Sequence, residues 1–404
     1  MFKPSFAPVS LALATAIASV NVQAIEPSVI KVGVFDLVPA IGLDQRYDDN
    51  IFSQASDEQE SWVTVLTPSV QASADLGSVE LELAYQHAAG IYENSSDDNY
   101  NDNAVSAALS WELNHRNQLD LSTTYNDGHE DRGTGFSQGA GAGAIDEPDT
   151  FEEVTVDAQY AYGGETSRGR LVLDISNYSK EFTNHRTTTR GRDRDDLATG
   201  ATFLWRVGGK TDVLAEVKRT DIDYVSDPAS TAGSFDTLDS TATKYLVGVT
   251  WEATAKTQGS IKVGQEKKDF DDSDRDDFSG TSWEVGIQYS PKTYSILSLN
   301  TAREARETNG TGSFIDAEDY GINWQHSWTD SLTSTLFYSF SEESYEDDIT
   351  GREDEISGYG LRLDYNMRRW LDLGLSAVYN ERDSNLDSFD YERNQVTLHL
   401  LMSL

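Results

Sequence analysis

The final segment of the chain alternates with a period of two. Val396, Leu398, Leu400, Met402 and Leu404 fall on one phase, Gln395, Thr397, His399 and Ser403 on the other, and Leu401 is the one exception. A backbone that sends successive side chains to opposite sides is a β-strand, so this segment has one apolar and one polar face. The same alternation recurs in Leu371 to Tyr379, Tyr359 to Tyr365, Tyr320 to Trp328, Trp283 to Tyr289 and Tyr245 to Trp251. Earlier in the chain it runs through Val154 to Tyr162, Val105 to Leu113 and Val79 to Tyr85. Helical spacing does not produce such sets. The polar phase carries charge, at Glu80, Glu82, Glu112, Asp157, Arg362 and Asp364 among others. Such a face looks at bulk water in a soluble sandwich and into the lumen in a membrane barrel.

The connections separate those two cases. Very short turns lie at Asp75 to Gly77, Asn114 to Asn117, Gly163-Gly164, Gly208-Gly209, Thr254 to Thr257, Ser290 to Thr293, Trp328 to Ser331 and Met367 to Arg369. Between them lie long, acidic connections around residues 48–60, 93–102, 128–150, 184–194, 226–239, 270–278, 307–314, 345–355 and 383–390. Short on one side and long on the other predicts an all-β fold, a transmembrane antiparallel up-and-down β-barrel of about 18 strands. Its short turns are periplasmic and its long acidic loops extracellular, and an even strand number puts both chain ends on the periplasmic side. The stretches Leu171 to Phe182 and Val213 to Tyr224 lose phase partway, which points to bulges there. Trp111, Trp205, Trp251, Trp324, Trp328 and Trp370 fall beside short turns; Tyr47, Tyr92, Tyr125, Tyr178, Tyr224, Tyr345 and Tyr379 fall near long loops. Two aromatic girdles at the lipid boundaries are expected from them.

The N-terminus reads as an export signal: Lys3, an apolar stretch from Val9 to Val20, then the small-x-small run Val22-Gln23-Ala24. Residues 1–24 are expected to be removed, leaving a short periplasmic segment over 25–37 and one barrel domain over 38–404, placed in the outer membrane of a Gram-negative cell. No later stretch approaches the ~20 apolar residues of a spanning helix, so any span is built from strands. The chain has no cysteine, which excludes disulfides, thiolate metal sites and cysteine nucleophiles. Acidic residues number 69 against 31 basic ones, for a net charge of −38. That balance argues against nucleic acid, whose phosphates need a basic surface. A disordered acidic chain is also excluded, because 19 Tyr, 15 Phe and 8 Trp fall in ordered alternation.

Motifs for chemistry are sparse. Phe270 to Phe278 holds five aspartates, but counting from Asp272 the sixth and twelfth positions are Asp277 and Trp283, where an EF-hand needs Gly and Glu. A solvated loop that loosely bridges divalent cations at a lipopolysaccharide surface is the favoured reading. The histidines are His87, His115, His129, His185, His326 and His399, none in a recognisable catalytic motif. His326 belongs with the girdle beside Trp324 and Trp328, and His399 with the lumen. No catalytic residue, cofactor or metal is expected.

The segments Phe35 to Pro39, Gln45-Arg46-Tyr47-Asp48-Asp49-Asn50-Ile51-Phe52 and Val65-Leu66-Thr67-Pro68-Ser69-Val70 resemble the opening of the putative β-barrel porin 2 family. The closing Tyr391-Glu392-Arg393-Asn394-Gln395-Val396-Thr397-Leu398 is similar to that family's last strand. The chain departs from the common pattern of outer-membrane barrels by ending in Leu404 rather than Phe. The resemblance implies a barrel that accompanies exopolysaccharide or capsule biosynthesis and serves polysaccharide export. Three functions follow in order: a passive conduit or accessory for an exported polysaccharide, a general diffusion porin for small cationic or neutral solutes, and a structural or adhesin-like barrel. The first expects a periplasmic polysaccharide export or co-polymerase protein as partner, besides outer-membrane lipid and lipopolysaccharide. Asp157, Arg206, Arg362 and Asp364 are the candidate lumen-lining residues, with ordinary salt-bridge packing inside the lumen as the competing account of them.

Overall fold

The computed structural model describes residues 29–164, 166–225, 237–254 and 256–403. The predicted signal segment 1–24 and Leu404 lie outside the described residues. A three-residue strand β1 (Ile30–Val32) precedes β2 (Phe35–Asp48), β3 (Ser61–Asp75), β4 (Val79–Tyr92), β5 (Tyr100–Asn114), β6 (Asn117–Glu130) and β7 (Asp149–Tyr162). Next come β8 (Gly169–Phe182), β9 (Arg194–Gly208), β10 (Thr211–Tyr224), β11 (Ser240–Thr254), β12 (Thr257–Phe270) and β13 (Phe278–Lys292). The last are β14 (Ser295–Glu307), β15 (Phe314–Ser327), β16 (Leu332–Glu346), β17 (Glu353–Arg368), β18 (Leu371–Ser384) and β19 (Tyr391–Ser403). From β2 onward every strand pairs antiparallel with its chain neighbours, and β19 pairs back onto β2, so eighteen strands close into a ring. The eight short turns and nine long connections alternate as the sequence predicts. The first barrel strand starts at Phe35, three residues ahead of the expected boundary, and both ends sit with the short turns.

Closure satisfies every strand edge inside lipid, where an unpaired backbone group would have no water to bond. The seam shows how closely this is done. β19 covers β2 from Asp48↔Gln395 down to Ala40↔Ser403, and β1 covers Phe35 to Leu37 through Val32↔Phe35 and Ile30↔Leu37, with Val38 and Pro39 between the two ladders. Pro68 has no N–H to offer, and the β3–β4 register passes directly from Leu66↔Ala89 to Ser69↔Gln86. One ladder is open: β14 pairs with β13 only over Ser295 to Arg303, and its upper residues turn toward the lumen.

Phase decides which face meets lipid. Val396 and Leu398 are outward and exposed, as are Leu361 and Leu363, while Asp364 and His399 on the opposite phase are buried on the lumen side. The lower girdle forms at Trp111, Trp205, Trp324, Trp328 and Trp370, exposed beside short turns, with Trp251 half-buried and the His326 ring tilted against Trp328 at 4.5 Å. The upper girdle needs correction. It contains Tyr47 beside Trp62 at 5.3 Å and Tyr379 beside Tyr359 at 5.0 Å, but Tyr92, Tyr178, Tyr224 and Tyr345 lie on the inward phase. Their hydroxyls donate to carboxylates: Tyr92 to Asp131, Tyr178 to Glu153, Tyr224 to Glu307 and Tyr345 to Glu343. Closeness to a loop fixes depth, not direction. The bulges expected in Leu171 to Phe182 and Val213 to Tyr224 are also absent, since both stretches stay in register with both neighbours. Strands of 13 to 16 residues outrun the ~9–11 that cross a bilayer. Above the lipid both faces turn polar and the apolar alternation ends while the ladder continues.

Candidate functional site in the lumen

The connection between β6 and β7, residues 131–148, does not stand outside the barrel. It folds across its mouth. At its start the guanidinium of Arg132 donates from Nε to Asp98 Oδ1 at 2.6 Å and from Nη1 to the Ile145 carbonyl at 3.1 Å, and lies 4.1 Å over the Phe52 ring. Gly133, at φ +87°, lies so close to the Phe52 carbonyl that a Cβ has no room. Burial alone would raise the carboxyl of Asp131, but the hydrogen bond and charge of His129, with Arg393 and Arg46 behind it, hold it well below the usual range. Further along, the Phe136 ring packs onto Gly310 in the β14–β15 connection. That connection lies eight strands further round an eighteen-strand ring, almost diametrically opposite. Gly139 rests against the Ser388 carbonyl and the Phe389 ring in the β18–β19 connection. The loop therefore spans the lumen and touches the β2–β3, β4–β5, β14–β15 and β18–β19 connections.

Beneath it the lumen wall from β8 to β14 encloses a cavity of about 450 Å³. Tyr178, Lys180 and Phe182 of β8, Arg194 and Asp196 of β9, and Lys218, Ile222 and Tyr224 of β10 line one side. Lys244, Glu266 and the inturned Glu304 to Glu307 line the other. Much of this charge is internally paired. Glu130 takes both Lys180 and Arg192 at 2.7 Å, Lys244 donates to Glu304 at 2.9 Å, and Lys262 just below bridges Glu216 and Glu284 at 3.0 Å each. The opened end of β14 is held by Glu266, whose Oε2 accepts the Ala305 N–H at 3.2 Å.

The four residues picked from sequence do not assemble into one site. Asp157 lies on β7, opposite in phase to exposed Val154 and Val156, and accepts from Ser122 at 3.2 Å. Arg206 on β9 is held by Asp212 at 3.0 Å beside the periplasmic turn. Arg362 and Asp364 on β17 pair with each other at 2.8 Å on a distant part of the ring. Next to that pair, His399 on β19 connects Asp44 to Ser376, with Nδ1 2.9 Å from Asp44 and Nε2 2.9 Å from the Ser376 hydroxyl. This chain has the order of a nucleophile, base and orienting acid. It has no oxyanion hole, because the backbone N–H groups around Ser376 serve the ladder on both sides and Arg362, directly opposite, is engaged by Asp364. The cavity residues Lys180, Arg194, Lys218 and Lys244 were not singled out from sequence. Their signal is lysine and arginine on the polar phase of neighbouring strands, hidden by a chain dominated by acid.

No curated protein sequence matches the chain. Among solved structures, it is similar to the outer membrane protein OpdK from Pseudomonas aeruginosa, at 12% identity, with 91% of this chain and 99% of that chain covered and a TM-score of 0.48. It is also similar to OccK2 (OpdF) from Pseudomonas aeruginosa, at 10% identity over 92% and 98% of the two chains and a TM-score of 0.49. A third is the siderophore receptor PirA from Acinetobacter baumannii, at 8% identity over 91% and 80% and a TM-score of 0.44. The family model described as "Putative beta-barrel porin 2" matches residues 23–403, so the chain belongs to that family and is a porin-like β-barrel of the outer membrane.

Proposed function

We propose that the barrel is a passive, loop-narrowed channel for hydrophilic solutes, without chemistry of its own. The observation that carries this reading is the 131–148 loop, which crosses an eighteen-strand lumen and leaves a charged passage along the β8–β14 wall. A barrel of this strand number is wide enough for water, and an inward loop reduces it toward the size of a small solute. The test is conductance of the purified barrel in planar bilayers, with and without residues 133–144. Steps that grow on deletion support the reading; a wild-type barrel that never conducts, under conditions where the deletion also fails, overturns it.

Export of an extracellular polysaccharide is the second reading. The way the loop is held favours it: ion pairs, ring contacts and glycine packing fasten it, with no strand pairing, so it can be displaced without breaking the barrel. On this reading the apolar band meets outer-membrane lipid and lipopolysaccharide, and a periplasmic export or co-polymerase protein delivers the polymer from below. An in-frame deletion distinguishes it. Lost release with periplasmic build-up of polymer supports export, and unchanged secretion overturns it.

A further inference from the structure

Charge divides the barrel by its ends. The eight short turns and the strand residues beside them hold seven Lys or Arg, in a chain whose net charge is −38. Arg116, Arg168, Lys210, Lys256 and Lys292 follow one another at five consecutive turns, from β5–β6 to β13–β14, and Arg368 and Arg369 stand at the β17–β18 turn. All seven are exposed. The acids at the same turns are Asp75, Glu165 and Asp330, and the Asp75 carboxylate is turned onto the Gly77 N–H at 2.8 Å. Other carboxylates of this end belong to the lumen phase: Glu112 is opposite in phase to exposed Trp111, and Asp372 is buried.

The rings beside these cations set their depth and direction. Arg168 lies 5.1 Å over the ring of Trp205, which is exposed on the lipid phase. Lys210 precedes Thr211, the cross-strand partner of Trp251, and Arg369 precedes exposed Trp370. Lys292 pairs with Ser295, whose hydroxyl accepts the Trp324 Nε1–H at 3.0 Å. Indole rings settle where hydrocarbon meets headgroup, and long cationic side chains beside them carry their charge to the headgroups. Arg206, next to Trp205 but on the lumen phase, is taken by Asp212. By contrast Arg116, Arg168, Lys210, Lys292, Arg368 and Arg369 make no ion pair among the described residues. Ten of the eighteen strands thus carry, at their periplasmic ends, an arc of cations at the height of lipid phosphates.

We propose that this arc is a docking surface for anionic phospholipid of the phosphatidylglycerol type in the periplasmic leaflet, which it selects over zwitterionic lipid. Each phosphate is met by a cation of one turn while the acyl chains lie along the apolar strand face above it. The inference does not depend on what the lumen carries, so it stands or falls apart from the channel reading.

The experiment places the full-length barrel in vesicles of phosphatidylglycerol and phosphatidylcholine, with one lipid or the other brominated, and reads quenching of tryptophan fluorescence. Five of the six exposed tryptophans, all but Trp62, lie at this end, so the signal reports the rim. Phosphatidylglycerol is expected to be enriched about fivefold around the protein, the effect of one cation at a charged surface. The preference should fade in ~1 M salt, where charges are screened within ~3 Å. Arg168→Gln, Lys210→Gln, Arg368→Gln and Arg369→Gln together should bring the two lipids to equality, whereas lysine at the three arginine positions should keep the preference. Asp271→Asn with Asp274→Asn, in a long loop at the other end, should leave it unchanged. Equal quenching by both lipids around the wild-type barrel overturns the proposal and leaves an acidic periplasmic protein as the partner of the rim. A full preference in the fourfold variant, folded by its heat-modifiable gel band, overturns it as well.

Discussion

Asp48 and Arg393 are 345 positions apart in sequence and share a two-pronged ion pair, Nε to Oδ1 at 3.0 Å and Nη2 to Oδ2 at 2.6 Å. Around it, Asp49 accepts the backbone and side-chain N–H of Asn394 at 2.7 and 2.8 Å, and Asn50 donates to the Glu392 carbonyl at 2.9 Å. The β2–β19 ladder ends at Asp48↔Gln395. Beyond it the Asp49 N–H donates to the Asn394 carbonyl at 3.2 Å, and side chains of the Tyr-Asp-Asp-Asn and Glu-Arg-Asn segments reinforce closure above the ladder. Two of the segments on which the family resemblance rests, residues 45–52 and 391–398, are thus the two halves of one clasp.

Breaking that clasp should be costly. Asp48 is fully buried, so Asp48→Asn leaves the Arg393 charge without its counter-ion, a change worth about 3–5 kcal/mol where a buried pair is broken. The expected result is a lower urea midpoint, read from loss of the heat-modifiable gel band. Arg393→Met in the Asp48→Asn background should recover part of the loss, because no unpaired charge then remains. An unchanged midpoint in the single variant would show that the ladder alone closes the seam.

Phe136 and Gly310 make a separable prediction, because their contact fastens the loop and not the wall. Phe136→Ala should leave the unfolding free energy from urea titration within about 0.5 kcal/mol, as for substitutions outside the barrel's packing, while larger or more frequent conductance steps appear. Equal conductance would mean that Arg132 and its partners hold the loop unaided.

The inward tyrosines can be told from the girdle by deleting one oxygen. Tyr224 donates to Glu307 at 2.7 Å, and Glu307 also holds Lys268, so Tyr224→Phe removes one bond from a buried carboxylate and should cost about 1–3 kcal/mol. Tyr379→Phe, on the lipid phase, should cost far less. Equal losses in urea titrations of the two variants would contradict the inward placement.

These tyrosines mark the limit of what the sequence carries. The alternation around Leu361, Leu363, Val396 and Leu398 specifies strands and their lipid face, and the positions of Gly163-Gly164 or Gly208-Gly209 specify which end has short turns. Both signals are local. Direction at Tyr224 could have been read from phase, since Ile222 and Tyr224 alternate with Asp223, but the alternation loses its meaning above the lipid, where either face can be polar. Nothing local announces that Phe136 reaches Gly310, or that Asp48 meets Arg393, because both contacts depend on the ring being closed.

Glu266 supports the last prediction. Its carboxylate accepts the Ala305 N–H, a donor that would otherwise face β13, and its neighbours Lys244 and Lys268 are engaged by Glu304 and Glu307 on the same inturned segment. Three contacts from β11 and β12 thus hold the upper end of β14 inside the lumen and keep it from pairing with β13. In Glu266→Ala the Ala305 amide loses its acceptor, and leaving a buried donor unmet costs about 1–3 kcal/mol. Local opening should become correspondingly easier, so amide exchange over residues 304–307 is expected to accelerate about 5- to 150-fold. Residues 295–303, still paired with β13, should exchange at the wild-type rate. Acceleration across the whole strand would instead show that Glu266 supports the wall itself, and slower exchange at 304–307 would show that β14 pairs with β13 once released.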